Sequence, residues 1–452
     1  MRPSLLPWRR EGGERLSAAD ASNVEIDAGD QVNVFLMAGL LGPGGWVATD
    51  GCPDLDLLRR VVGERLAQVT SGELRRFSQR VGTSGRHLVW EPCRPDLGWH
   101  VRSVEPVDGG AGLADLCSLL MTVPLSLDRP LWELLVVPGA SPEGPGLVLR
   151  IHHAVADGVA GVALLRAFFG DGGPGPSERS TPAVAETTPP TTRPGRLSSL
   201  LTSLTRVVAV FRATVPPTVL LGPLGAHRGV AFVEVDLAPL ARAARTAGGT
   251  VNDALLAAVT AAAEAALRVD GHPVPAVLPA SVPVALPDRR GSGNAVGVML
   301  VGLPTGEPDV RRRLASVAAT TSAAKAGARS QGTLELTRTR WGSRLFARLA
   351  RRQRFIALFV TNVRGPREPL SLGGAPLRRA WPVVPLQGNV RFGVSALSYA
   401  GRLACTVHVD ADVLRADVAA RTLQDELGGV ASPSPPGPDH RGQTVRPIRP
   451  PS

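Results

Sequence analysis

Leu147–Gly158, LVLRIHHAVADG, decides how this chain is read. An apolar run broken by one arginine ends in two adjacent histidines, and Asp157 and Gly158 close the segment. The chain holds only 8 histidines in 452 residues, so a pair in so apolar a setting calls for a reason. If the run is a strand, its side chains alternate. His153 then shares a face with Leu147, Leu149 and Ile151, and His152 with Arg150 and Val148. Only one imidazole can face a given cleft, and periodicity alone leaves open which. A neutral imidazole can accept a proton from an alcohol at physiological pH. Asp157 reads either as a loop anchor in a buried ion pair or as the N-cap of a helix beginning near Gly158, in preference to direct acid–base chemistry. Gly158 permits a tight turn. The alternative for His152-His153 is a pair of core histidines ending a strand.

Working outward, Leu131–Val137 reads as a strand, the Pro/Gly-rich Pro138–Gly146 turns the chain, and Leu147–His153 returns antiparallel. Val159–Phe169 follows as a helix stopped by Gly170. Upstream, Val32–Leu41 is a strand. Leu55–Val69 has helical spacing, with Leu55, Leu58, Val62 and Leu66 on one face, and Leu113–Val123 is a further helix. Residues 1–170 form one lobe on this reading. Residues 171–195 are rich in Pro, Thr and Gly, cannot bury a core, and read as a flexible linker. Residues 196–431 form a second lobe. Its strands are expected at Val230–Val235, Ala276–Val284, Val296–Val301, Ile356–Thr361, Val390–Ser398 and Leu403–Val409, with a helix at Val251–Arg268. Thr250 and Asp253 make a capping box ahead of that helix, which leaves Asn252 unexplained. Residues 432–452 are a Pro-rich tail expected to be disordered.

The formal net charge is +11, and Lys325 is the only lysine, so the positive charge is almost all arginine. That balance favours an anionic partner. No recognition helix, zinc-finger spacing or aromatic platform is present, which argues against nucleic acid. Cys52, Cys93, Cys117 and Cys405 are widely spaced with no CxxC pair, so neither a metal site nor a disulfide framework is expected, and a reducing compartment fits. The N-terminus lacks the apolar core of a signal peptide. No apolar run reaches the roughly 18 residues of a membrane-spanning helix. Arg338–Phe359 interleaves arginines with Trp341, Leu345, Phe346, Leu349 and Phe355. It reads either as a basic amphipathic helix lying on an anionic lipid surface or as a packed helix with a solvated arginine face.

HHAVADG resembles the HHxxxDG signature of the coenzyme-A-dependent acyltransferase superfamily. Further segments, in chain order, resemble the bacterial wax ester synthase/diacylglycerol acyltransferases. They are Leu16–Ala21, His100-Val101-Arg102, Pro130-Leu131-Trp132-Glu133, Thr250–Asp253, Gly293-Asn294, Thr361–Pro366 and Leu397–Leu403. The resemblance covers residues 16 to about 430. It implies an α/β (α+β), two-lobed chloramphenicol-acetyltransferase-like fold with the active site in a channel between the lobes. It assigns the general base to His153 and a structural role to His152. It also implies acyl transfer from acyl-CoA to a hydroxyl of diacylglycerol, giving triacylglycerol, or of a long-chain alcohol, giving a wax ester.

Acyl-CoA would be the co-substrate, with no other cofactor and no metal. Asn252 and Asp253 would bind or orient substrate or base. Where the family has a polar residue ahead of its LSY segment this chain has Gly393, and Ser395 is the candidate oxyanion donor in its place. Lipid substrates suggest a cytoplasmic protein held peripherally on the inner face of the cell membrane or on lipid bodies. Two alternatives are a carrier- or polyketide-associated acyltransferase of the same superfamily and a non-catalytic lipid-binding paralogue.

Overall fold

The histidine-bearing strand is buried along its whole length: every residue from Gly144 to His152 is shielded from solvent. Strands covered on both faces need a near-continuous apolar run. Arg150 and His152 interrupt this one, so each must find polar partners inside the protein. The structure, a computed structural model, describes residues 13–27, 31–69, 73–156, 158–170, 215–285, 296–328 and 350–432. Asp157, the expected linker at 171–195 and the tail beyond Ser432 lie outside the described residues.

The first half contributes strands β1 (Glu14–Arg15), β2 (Val34–Leu41), β3 (Gln79–Ser84), β4 (His87–Pro92), β5 (Val101–Ser103), β6 (Trp132–Ser141) and β7 (Gly144–His152). Its helices are α1 (Ala18–Ile26), α2 (Leu55–Ala67), α3 (Leu97–His100), α4 (Gly109–Leu120) and α5 (Gly158–Phe169). The second half contributes β8 (Arg228–Asp236), β9 (Val277–Ala285), β10 (Val296–Pro304), β11 (Leu358–Arg364), β12 (Ser371–Leu372), β13 (Ala375–Val383), β14 (Phe392–Tyr399) and β15 (Arg402–Asp410). Its helices are α6 (Leu237–Thr246), α7 (Val251–Arg268), α8 (Val310–Ala328) and α9 (Ala416–Ala431).

Two six-stranded sheets organise the two lobes, in the orders β12-β13-β2-β7-β6-β5 and β10-β9-β11-β14-β15-β8. Each lobe has its own apolar core. The chain is thus α/β and two-lobed, as expected. The division by sequence position is not clean, however. Ser371–Val383, read from sequence as second-lobe chain, crosses over and pairs β13 antiparallel with β2 of the first sheet. Without that crossing, β2 would present an unpaired row of backbone groups.

The Pro138–Gly146 stretch is also more ordered than a turn. β6 continues to Ser141 and β7 starts at Gly144, with a register shift between Val137 and Ser141. Gly139 makes that irregularity feasible. Its φ is +77°, and a Cβ there would sit 2.3 Å from the Val107 carbonyl oxygen.

In the second lobe, α7 is buried over most of its length, and α8 and α9 pack against it. Among the described residues no single helix is long and apolar enough to cross a membrane. Most of Arg338–Phe359 lies outside the described residues. Past Ala350 the chain is no longer helical, because the Gln353 side-chain oxygen accepts from the Phe355 and Ile356 N–H groups and turns it toward β11.

β15 carries one buried group with a consequence for stability. His408 donates from Nδ1 to the Val384 carbonyl at 2.7 Å, and burial pushes its pKa down to about 4. The unfolded chain takes up a proton near the ordinary value of about 6.5. From pH 6.5 down to 4 the unfolded state therefore gains protons that the native state refuses, and stability falls. The difference reaches about 3 kcal/mol by pH 4. Urea unfolding of His408→Gln across that range should show this contribution gone. An unchanged pH slope in the variant would contradict it.

Candidate active site

β7 ends at His152, and His153 lies on the turn beyond it. Strand alternation therefore does not govern where His153 points. The turn is set by backbone bonds. The Val155 N–H donates to the His152 carbonyl at 2.9 Å, and the His153 N–H donates to the Asn33 carbonyl at 2.9 Å. The two imidazoles nevertheless occupy different environments.

His152 is fully buried and engaged at both ring nitrogens. The Ala154 N–H donates to Nδ1 at 3.0 Å, so Nδ1 presents its lone pair. The proton of the neutral ring is then on Nε2, 3.0 Å from the Asp27 carboxylate oxygen Oδ2. Asp27 in turn accepts from the Asn33 N–H at 3.3 Å. This arrangement assigns one tautomer to His152 and leaves it no spare nitrogen for chemistry. His153 is half-buried, with its ring edge-on to Phe35 at 5.9 Å between centroids. Asp27→Ala leaves the His152 Nε2–H buried without an acceptor. It should cost about 1–3 kcal/mol in urea unfolding, whereas Asp27→Asn keeps an acceptor and should cost less. Equal stability of Asp27→Ala and the parent would remove the proposed role.

Beneath the turn lies a buried polar scaffold. Arg150, two residues before His152 on the same face, pairs with Glu133 at 2.7 Å, with both side chains 5 % exposed or less. It also donates to the carbonyls of Leu120, at 3.2 Å, and Val123. Arg102 reaches the same Glu133 oxygen at 3.2 Å. Trp132 stacks between Phe77 and His100, its indole N–H donating to the Phe77 carbonyl at 2.9 Å, while His100 Nδ1 donates to the Trp132 carbonyl at 2.7 Å.

The other candidates sit on the second lobe. Asp253 is bound up in the helix start. Its Oδ2 accepts from the Thr250 N–H at 2.8 Å and the Thr250 hydroxyl at 2.7 Å, and its Oδ1 accepts from the Thr321 hydroxyl at 2.6 Å. The last of these bonds anchors α7 to α8. Asn252 is half-buried, and its Oδ1 accepts from the Asn362 side chain at 3.4 Å. Ser395 is fully buried and donates its hydroxyl proton to the Pro382 carbonyl at 2.7 Å, so that proton is already committed. Gly158 is the first residue of α5, which packs against β11 at the junction of the lobes. Among the described residues no group of three or more His, Cys, Asp or Glu is placed to hold a metal ion.

The sequence matches the wax ester synthase/diacylglycerol acyltransferase catalytic domain over residues 16–215 and the C-terminal domain of the same family over residues 292–429. The chain belongs to this family. A putative diacylglycerol O-acyltransferase of Mycobacterium tuberculosis is 30 % identical over 392 residues, covering 77 % of this chain and 75 % of the relative. A probable diacylglycerol O-acyltransferase from the same species is 30 % identical over 450 residues, covering 91 % and 94 %. The fold is similar to that of the wax ester synthase/diacylglycerol acyltransferase from Marinobacter aquaeolei VT8. That match has TM-score 0.68 and 20 % identity, over 92 % of this chain and 98 % of the other. A trichothecene 15-O-acetyltransferase from Fusarium sporotrichioides shares the fold at TM-score 0.61 and 12 % identity, covering 95 % and 98 %.

Within this acyltransferase four of the segments that carried the resemblance come together in pairs, and Gly293-Asn294 lies outside the described residues. His100-Val101-Arg102 and Leu131-Trp132-Glu133 meet on the strands beside β7. The Asn-Asp helix start meets the Thr361–Pro366 segment through Asn252 and Asn362. Sequence reasoning missed Asp27 and Asn33. Asp27 is 125 residues from His152. The only available signal was a short acidic and amide cluster between two elements. A cavity of about 670 Å³ lies at the other end of β7 from the histidines, between the Ser141–Glu143 hairpin, α4 and Trp381. None of the candidate site residues lines it.

Proposed function

We propose that this acyltransferase moves a long-chain acyl group from acyl-CoA to the hydroxyl of diacylglycerol or a long-chain alcohol, with His153 as general base. The observation that carries the reading is the asymmetry of the histidine turn. Both nitrogens of His152 are occupied in a sealed site, and the half-buried imidazole beyond the strand is that of His153. His153 takes the hydroxyl proton as the oxygen attacks the thioester carbonyl. The new C–O bond forms, the C–S bond breaks, and the proton passes to the departing thiolate, giving ester and free CoA. No acyl-enzyme intermediate is needed. Much of the acceleration would come from holding donor and acceptor together between the lobes.

Asn252 enters this reading as an orienting residue at the lobe junction, acting with Asn362, and Asp253 serves by holding their helix start. Ser395 does not enter it, because its proton already serves Pro382. Acyl-CoA is the only co-substrate the scheme requires. The arginine-rich charge of +11 fits attraction to CoA phosphates and to an anionic lipid surface on the inner face of the cell membrane or on lipid bodies. The test is ester formation by the purified protein from long-chain acyl-CoA with diacylglycerol and with a fatty alcohol, run beside His153→Ala. Turnover that needs a carrier-bound donor, or lipid binding without turnover, would overturn the proposal.

A further inference from the structure

The turn that presents His153 is held by Asn33, and Asn33 is held from the other half of the chain. Its carbonyl accepts the His153 N–H at 2.9 Å. Its side-chain Nδ2 donates to the carbonyl of Asn23 at 2.9 Å and to its Oδ1 at 3.1 Å, and Asn23 Nδ2 donates to the His153 carbonyl at 3.4 Å. The peptide groups on both sides of the His153 side chain are therefore fixed through Asn33. Asn33 is 1 % exposed and has one remaining side-chain acceptor, Oδ1. That atom accepts from Gln387 Nε2 at 2.8 Å.

Gln387 lies on the loop that returns the crossing chain from β13 to β14. That loop is itself rigidly placed. Asn389 exchanges hydrogen bonds with Gln353 at 2.8 and 2.9 Å. Gly388 has φ +65°, and a Cβ on it would sit 2.7 Å from the Ala350 carbonyl oxygen. A second pair of bonds ties the same loop to the first lobe without touching Asn33: Gln31 and the backbone of Gly388 bond reciprocally at 2.7 and 3.2 Å.

We propose that Gln387 is a positioning residue for His153, acting through Asn33. The base is set in place by the bond from the Gln387 amide to Asn33 Oδ1. The inference rests on the reading of His153 as general base. A buried amide acceptor with one donor has no substitute once that donor is removed, and the Asn33 side chain is then held from one side only, by its bonds to Asn23. A displacement of the base by about 1 Å can cost on the order of 100-fold in rate.

The test compares Gln387→Ala, Gln387→Glu and Gln31→Ala in the full chain, by steady-state kinetics with acyl-CoA and acceptor and by thermal unfolding. Glutamate matches glutamine in size but cannot donate to Asn33. Both Gln387 variants should lose about 10- to 100-fold in kcat with KM values within about twofold of the parent. Gln31→Ala removes a bond to the same loop and should keep its kcat while losing similar thermal stability. Equal losses of kcat in all three variants, or tracking of kcat with stability, would reduce Gln387 to a structural brace. Full activity in Gln387→Glu would also overturn the proposal. His153→Ala separates the two levels: if it retains activity, the base assignment fails. If it is inactive while Gln387→Ala keeps its kcat, only the positioning inference fails.

Discussion

His153→Ala is expected to lose ester formation from acyl-CoA by about 100- to 10,000-fold, the usual contribution of a positioned general base. The half-buried His153 ring packs edge-on against Phe35, whereas the bonds that shape the turn are made by its backbone. Alanine keeps that backbone, so the variant should fold. Circular dichroism and thermal unfolding establish this before the kinetics are compared. His153→Gln should fare no better than alanine, since an amide fills the space without offering a titratable base. The companion substitution His152→Ala should also lose activity, but for another reason. It opens a sealed site and leaves Asp27 Oδ2 without the imidazole N–H, so it should lower stability together with rate. If His153→Ala, shown to be folded, turns over at the parent rate, the proton must be taken by another group.

Glu133→Ala is expected to cost about 3–5 kcal/mol of stability, the usual penalty for removing one partner of a buried ion pair. Burial pulls the Arg150 guanidinium below its ordinary pKa, and Glu133 opposes that pull across 2.7 Å. With Glu133 gone, the acceptors left to Arg150 among the described residues are the carbonyls of Leu120 and Val123. The desolvation of the charge is then uncompensated. Urea unfolding followed by tryptophan fluorescence measures the loss directly, because Trp132 sits beside the pair in the sequence and against Phe77 in the core. Replacing both partners, as in Glu133→Leu with Arg150→Met, should recover much of the stability, since two matched apolar side chains leave no charge unpaired. A loss below about 1 kcal/mol in Glu133→Ala would show that water reaches Arg150 and that the pair is not sealed.

The parts of the fold that were legible in the sequence are those decided over a few residues. α7 runs from Val251 to Arg268 as its spacing predicts, because the Thr250–Asp253 capping box defines its start locally. Leu58, Val62 and Leu66 form the buried face of α2, and β2, β7 and β15 begin and end within a few residues of expectation. The passage of Ser371–Val383 into the first sheet was not legible. Alternating apolar residues state that a strand will have a buried face, not which sheet will supply its neighbour. The same limit applies to Pro130–Glu133, which stood out as a motif. Its chemistry, a stacked indole and a counter-charge for Arg150, depends on residues brought in from elsewhere in the chain.

By itself the sequence determined the family, the two-lobed class and the presence of two unequal histidines at the end of a buried strand. Those features live in short-range spacing, and spacing survives in a linear chain. Tertiary structure alone decided how the inequality is enforced. Asp27 and the Ala154 N–H occupy both nitrogens of His152, Asn33 fixes the peptide of His153, and Gln387 reaches Asn33 across 354 residues of chain. The physical reason is that a hydrogen bond depends on distance and angle in space, and partners far apart in sequence acquire those only when the chain has folded.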